Sequence, residues 1–89
     1  MRAGPPVVAV LRDLGKRVRD ARIAAGVTQE EAAARAGIDY KRLQRIEAGS
    51  VNVTVRTLVR LASALGTTFW RLMESVASER RAARAARRP

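Results

Sequence analysis

The segment TQEEAAARAGIDYKRLQRIEAG, which starts at Thr28, constrains the fold more than any other part of the chain. Thr28 is a typical N-cap residue, and the carboxylate of Glu31 can accept a hydrogen bond from its amide, so TQEE predicts a capping box. The helix that it opens is expected over 29–36. Gly37 can adopt the positive φ that often ends a helix, and Asp39 is a second N-cap residue. The segment therefore predicts two short helices joined by a tight turn.

The second of these helices, expected over 40–47, has two faces of different character. Leu43 and Ile46 lie three positions apart on one side, which is the spacing of a helix that packs on a core. The other side carries long polar side chains, namely Tyr40, Lys41, Gln44 and Arg45. Two helices joined in this way form a helix-turn-helix, whose second helix stands free to enter a DNA major groove.

Apolar residues at helical spacing predict three more helices, and turn and cap residues set their bounds. These bounds are Leu11 to Gly26, Thr54 to Gly66, and Thr68 to about Ala86. The fold class that follows is all-α with five helices. Residues 1–10 are expected to form a flexible or partner-docking arm. Within it, Val7 to Val10 either begin the first helix early or form a short extended segment.

Positive charge is the main feature of the composition. The net charge is +10 on 89 residues, and an excess of this size indicates a polyanionic partner, with nucleic acid foremost. A basic tail over 78–89 has five arginines and one glutamate, a net of +4, so the other residues still carry +6. We expect the tail to add diffuse attraction to phosphates and no base reading. The alternative source of the arginines is the bias of a GC-rich genome.

The chain has no cysteine and no histidine. Their absence argues against disulfides, thiolate or imidazole chemistry and the usual zinc ligands, and no nucleophile can be paired with a base. We therefore expect no enzymatic activity, no cofactor and no metal. The apolar run near the amino terminus is too short for a signal peptide or a membrane span. A cytoplasmic, nucleoid-associated protein with no membrane partner is expected.

About two thirds of the chain resembles the phage-repressor and Cro-type helix-turn-helix family, also called the xenobiotic-response-element family. The resemblance rests on linked motifs at the family's spacing: Leu14-Gly15 with Val18, Gly26 to Glu30, Ala36-Gly37-Ile38, Ile46 to Gly49, and Leu58 through Gly66. It implies a compact, lambda-repressor-like domain of five helices over 11–77 that binds operator DNA as a dimer. Three residues depart from the family pattern: Ala21 and Ala32 replace leucines and thin the core, and Val53 replaces a proline.

The resemblance also implies which residues contact base edges, namely Tyr40, Lys41, Gln44 and Arg45. Arg45 and Lys41 suit O6 and N7 of guanine, and Gln44 suits N6 and N7 of adenine. The ring of Tyr40 can pack on a thymine methyl group. The competing interpretation is a solvated basic face with no role in DNA binding.

Phosphate contacts are expected from a second set of residues: Gln29, Arg42, Ser50, Asn52 and Arg56. Gln29 follows the cap of the first motif helix, where the amides and the helix dipole favour an anion. For the loop, the competing interpretation is a turn in which Asn52 and Thr54 bond local amides.

Two further expectations concern contacts within the protein and between copies of it. Glu47 is expected to be structural, with Arg35 as its ion-pair partner. Trp70 and Met73 are expected to form a homodimer interface, because the family has a polar residue at the position of Trp70 and exposed aromatic residues often mark a partner surface. The alternative places Trp70 under residues 7–10.

These observations predict a sequence-specific regulator of transcription, a repressor that binds double-stranded DNA as a homodimer on a palindromic operator. Related possibilities are a phage repressor, a restriction-modification controller protein, or an antitoxin with a toxin as its protein partner. A protein-interaction module without DNA binding is a separate alternative, but it would be expected to lose the basic residues of the second motif helix. An enzyme is the least supported class.

Overall fold

The computed structural model describes residues 6–74, which contain five helices. They are α1 (Val7–Ala25), α2 (Gln29–Ala36), α3 (Tyr40–Glu47), α4 (Val55–Ala64) and α5 (Phe69–Leu72). No strand occurs within 6–74, and the predicted all-α class with five helices is confirmed.

Local signals at the start of α2 act as the sequence predicts. The amide of Thr28 donates to Oε1 of Glu31 at 3.2 Å, and the amide of Glu31 donates to Oγ1 of Thr28 at 3.1 Å. The capping box is therefore complete. Gly37 ends α2 with a φ of 68°, a conformation that glycine adopts without steric cost.

Asp39 differs from its prediction. It occupies the N-cap position of α3 in an extended conformation, but its side chain forms no capping hydrogen bond. Because Asp39 is exposed, water can satisfy the first amides of α3.

The two ends of the described chain also correct the predicted bounds. Of the two alternatives for Val7 to Val10, the structure has the helical one, since the carbonyl of Pro6 already accepts hydrogen bonds from the amides of Ala9 and Val10. The helix α5 ends at Leu72, far short of the predicted end. The remainder of the predicted helix and the basic tail lie outside the described residues.

The core is one cluster of buried side chains to which all five helices contribute. Its largest fully buried side chains are Val18, Leu43, Ile46 and Leu61. Three alanines of α2 are also buried, and their small size lets this helix pack closely on α3 and α4. Among the helices in 6–74, none combines the length and the apolar character that a membrane crossing requires.

Candidate nucleic-acid interface

The outer side of α3 is a polar and basic surface. Leu43 and Ile46 are buried, whereas the polar residues between them are exposed. We call Tyr40, Lys41, Gln44 and Arg45 the reading face, and Arg42 is exposed beside it. The structure thus brings all four predicted base-contacting residues to one accessible side of one helix.

A close approach between α1 and the end of α3 sets the position of the reading face. A Cβ on Gly15 of α1 would meet the carbonyl oxygens of Ile46 and Glu47, the latter at 2.6 Å. Gly49, just after α3, lies equally close to the backbone of Arg12, where a Cβ would be 2.7 Å from its Cα. Both contacts require the absence of a side chain, so the two glycines let α3 lie directly against α1.

A partly buried ion pair adds a second connection between α1 and α3. Nε of Arg22 donates to Oε2 of Glu47 at 2.7 Å, and Nη2 donates to Oε1 at 3.1 Å. The side chains are only 15% and 5% exposed. The hydrogen bond to Glu47 raises the pKa of Arg22 further above its ordinary value, which by itself already keeps a guanidinium charged. A bidentate pair of this kind also restricts orientation.

The partner of Glu47 corrects the sequence prediction. Glu47 is structural, as expected, but Arg22 takes the place assigned to Arg35. Arg35 is exposed and forms no ion pair within residues 6–74. The reason is geometric: the start of α2 lies beside Glu47, where Gln29 bonds to it, whereas Arg35 lies in the last turn, at the opposite end of that helix.

The same network holds the side chain of Gln29. Nε2 of Gln29 donates to Oε1 of Glu47 at 3.1 Å. One amide proton of this predicted phosphate ligand is therefore already used inside the protein. The second amide proton and the backbone amides at the start of α2 remain the groups with which this position can meet a phosphate.

Tyr40 and Gln44 are also hydrogen-bonded to each other within the reading face. Nε2 of Gln44 donates to the Tyr40 hydroxyl at 3.0 Å. The two residues lie four positions apart and both are exposed.

Among the residues that follow α3, some side chains form local hydrogen bonds and others do not. The hydroxyl of Ser50 donates to the carbonyl of Arg45 at 3.2 Å, and that of Thr54 accepts from the amide of Thr57 at 3.1 Å. Ser50 and Thr54 therefore form hydrogen bonds to nearby backbone groups. Asn52 and Arg56 are exposed, and within the described chain their side chains have no hydrogen-bond partner.

Sequence reasoning missed Arg19. With Arg22, Gln29 and Gln44 it lines an open cleft of about 330 Å³ between α1 and α3, so this exposed guanidinium lies beside predicted base and phosphate contacts. Arg19 and Arg22 are three positions apart and share a helix face, and this spacing was the sequence signal that could have pointed to Arg19. The sequence could not show that this face meets α3.

The helix-turn-helix family HTH_3 matches residues 18–69, which is more than half of the chain. The chain belongs to this helix-turn-helix family. The family is one of DNA-binding transcriptional regulators, so the resemblance to repressor and Cro-type proteins is confirmed, and the matched region is a DNA-binding domain of that class.

A curated relative of this helix-turn-helix protein is the uncharacterized HTH-type transcriptional regulator y4dJ of Sinorhizobium fredii. The two are 46% identical over 48 residues, which are 54% of this chain and 62% of the relative. The matched part thus spans less than two thirds of the length of that protein.

Solved structures support the same assignment. The restriction-modification controller protein C.AhdI from Aeromonas hydrophila is 34% identical, with a TM-score of 0.71 over 73% of this chain and 98% of that one. The hypothetical transcription factor NHTF from Neisseria is 25% identical, with a TM-score of 0.74 over 92% of this chain and 95% of that one.

The helix-turn-helix protein also exposes apolar side chains on α5. Trp70 is 78% exposed and Met73 is 37% exposed. The rings of Phe69 and Trp70 pack edge to face, with 5.1 Å between their centroids. Val7, Val8 and Val10 are exposed as well, so within one chain they do not cover Trp70.

Proposed function

We propose that this protein is a sequence-specific regulator of transcription that binds double-stranded DNA by placing α3 in the major groove. The observation that carries the proposal is the reading face itself. Four polar or basic side chains project from a helix whose opposite side is buried. A partly buried ion pair and two glycine contacts hold that helix on α1. A helix held in this way can present side chains to base edges in a fixed orientation.

The assignment of contacts follows from this placement. We assign base contacts to the reading face and phosphate contacts to Gln29, Arg42, Ser50, Asn52 and Arg56. We add Arg19 as a phosphate contact, because it lines a cleft with Gln29 and Gln44. Arginine and lysine supply the charge that attracts DNA of any sequence, whereas base contacts supply specificity.

The protein acts as a homodimer on a palindromic operator, with α5 at the dimer interface. A two-fold dimer places two copies of α3 about 34 Å apart, one turn of DNA, so that each reads one half-site. In the simplest regulatory mode, the dimer represses transcription by occupying promoter DNA.

The best-supported subtype is a restriction-modification controller. The observation that favours it is the 34% identity to C.AhdI, a protein of that kind, together with the nearly complete coverage of its chain. A restriction or methyltransferase gene beside the gene for this protein would support the subtype, and a toxin gene there would support an antitoxin instead.

Selection of bound sequences from random duplex DNA tests the proposal. We expect enrichment of a palindrome whose half-site centres are about 10 base pairs apart. Recovery of no common sequence, with binding that depends only on salt, would overturn sequence-specific recognition. Recovery of a single unrepeated site would overturn the dimer and leave the DNA contacts of α3 in place.

A further inference from the structure

The hydrogen bond between Tyr40 and Gln44 gives these residues a joint role that neither has alone. Exposed glutamine side chains sample several rotamers, and ordering one on binding costs conformational entropy. Here Nε2 of Gln44 already donates to the Tyr40 hydroxyl at 3.0 Å. Residues four positions apart on a helix are neighbours, so the bond is compatible with the helical geometry of α3.

Tyr40 is the first residue of α3. It lines a cleft with Arg22, Thr28 and Gln29 at the start of α2, and it is only just exposed, at 37%. Gln44 lies one turn further along α3 and lines clefts on both of its sides, one with Arg19 and one with Lys41 and Arg45. The bond between the two side chains thus lies along the exposed side of α3, with a cleft at each of its ends.

The bond leaves Gln44 with the groups that one base requires. A glutamine amide has two N–H donors and one carbonyl acceptor. One N–H is given to Tyr40, and the other N–H and the carbonyl remain. Adenine offers the complementary pair in the major groove, because its N7 accepts a hydrogen bond and its N6 amino group donates one.

We propose that Tyr40 is a positioning residue that orients the amide of Gln44 for bidentate recognition of adenine. This inference rests on the proposed DNA-binding function and deepens it. It replaces the expected contact between the Tyr40 ring and a thymine methyl group with a role for the hydroxyl, which acts through Gln44. The specificity of one base pair is then set by two residues.

The test measures base preference position by position in the selected operator for the wild type and for Tyr40→Phe, Gln44→Ala and the double variant. Gln44→Ala is expected to reduce the preference for adenine at one base pair on the order of tenfold. Tyr40→Phe keeps the ring, and it should reduce the preference at the same base pair by about twofold. In the Gln44→Ala background, Tyr40→Phe should have no further effect. Helix content and affinity for scrambled DNA should not change in Tyr40→Phe.

Combination of Tyr40→Phe with Arg45→Ala is the matched control, since Arg45 also lies on the reading face but is not bonded to Tyr40. These two changes should alter different base pairs and add independently. The proposal is overturned if Tyr40→Phe leaves the adenine preference intact, if it acts at another base pair, or if its effect adds to that of Gln44→Ala. Each of these outcomes presupposes a wild-type consensus, so DNA recognition itself would stand. A wild type without any consensus would overturn both proposals.

Discussion

At the scale of single residues, Arg45 and Gln29 are expected to respond differently to removal. Arg45→Ala should weaken cognate binding by about 1–3 kcal/mol and relax the preference at one base pair, because a guanidinium that contacts guanine is lost. Gln29→Ala should weaken binding to all sequences alike. Titration of cognate and scrambled duplexes by fluorescence anisotropy measures both effects. If Arg45→Ala lowered the affinity for both duplexes equally, Arg45 would not be a base contact.

The partly buried ion pair of Arg22 and Glu47 predicts a measurable effect on stability. Glu47→Gln keeps the shape of the side chain but leaves a partly buried guanidinium without its counter-charge, which should lower the free energy of unfolding by about 1–3 kcal/mol. Urea unfolding measures the loss. Glu30→Gln is the matched control, because Glu30 is exposed and unpaired within residues 6–74, and it should change stability little. Similar stability of the two variants would contradict the structural role of Glu47.

The capping box makes stability depend on pH at a single glutamate. Hydrogen bonding from the Thr28 backbone amide, and then from the Thr28 side chain, lowers the pKa of Glu31. Its stabilising contribution is therefore complete above the pKa of an unfolded glutamate and is lost as the pH falls through the lower pKa of the folded state. Compared with Glu31→Ala, the wild type should be more stable at neutral pH, and the difference should shrink in acid. Thermal unfolding at both pH values measures it, and a difference that grows in acid would contradict the assigned role.

At the scale of elements, the contact between α1 and α3 predicts that Gly15→Ala lowers the stability, whereas helix propensity predicts that it raises the stability. Alanine is favoured over glycine within a helix by about 1 kcal/mol, but a Cβ on Gly15 would collide with the backbone at the end of α3. Gly15→Ala should therefore lower the stability by about 2 kcal/mol and weaken operator binding, because α3 must move. Circular dichroism on heating and anisotropy with operator DNA measure the two effects.

Gly66→Ala is the control for Gly15→Ala, because it introduces backbone strain without a collision. Gly66 has a φ of 71°, and a Cβ at this position would have no neighbour within 4 Å. Alanine there should therefore cost about 1 kcal/mol and leave operator affinity unchanged. Stabilisation by Gly15→Ala, as propensity alone predicts, would show that α1 and α3 do not approach as described.

At the scale of the whole molecule, α5 is expected to join two copies of the chain. Trp70→Ser with Met73→Ser should shift the sedimentation mass from twice 9.7 kDa toward 9.7 kDa and weaken operator binding. The high exposure of Trp70 means that the fold itself should survive. Val55→Ser with Val59→Ser is the control, since these valines are exposed on α4. A mass that the α5 changes leave unaltered at micromolar concentration would contradict the proposed interface.

The sequence by itself determined the elements that depend on neighbours within one helical turn. The capping box at Thr28, the bounds of α2 and α3 and the polar side of α3 all follow from spacings of three or four residues, and each agrees with the structure. Asp39 is the exception among these local features, because a residue type suited to a cap does not ensure that its side chain forms the bond.

Only the tertiary structure decided which distant groups meet. Arg22 and Glu47 are 25 positions apart, and nothing in their local sequence distinguishes Arg22 from Arg35 as a partner. Likewise, Gly15 contacts the end of α3 and Arg19 lines the cleft beside it because one particular side of α1 faces α3. That side is chosen by the packing of the whole core, where Val18, Leu43 and Ile46 are buried together, and packing is a property of all five helices at once.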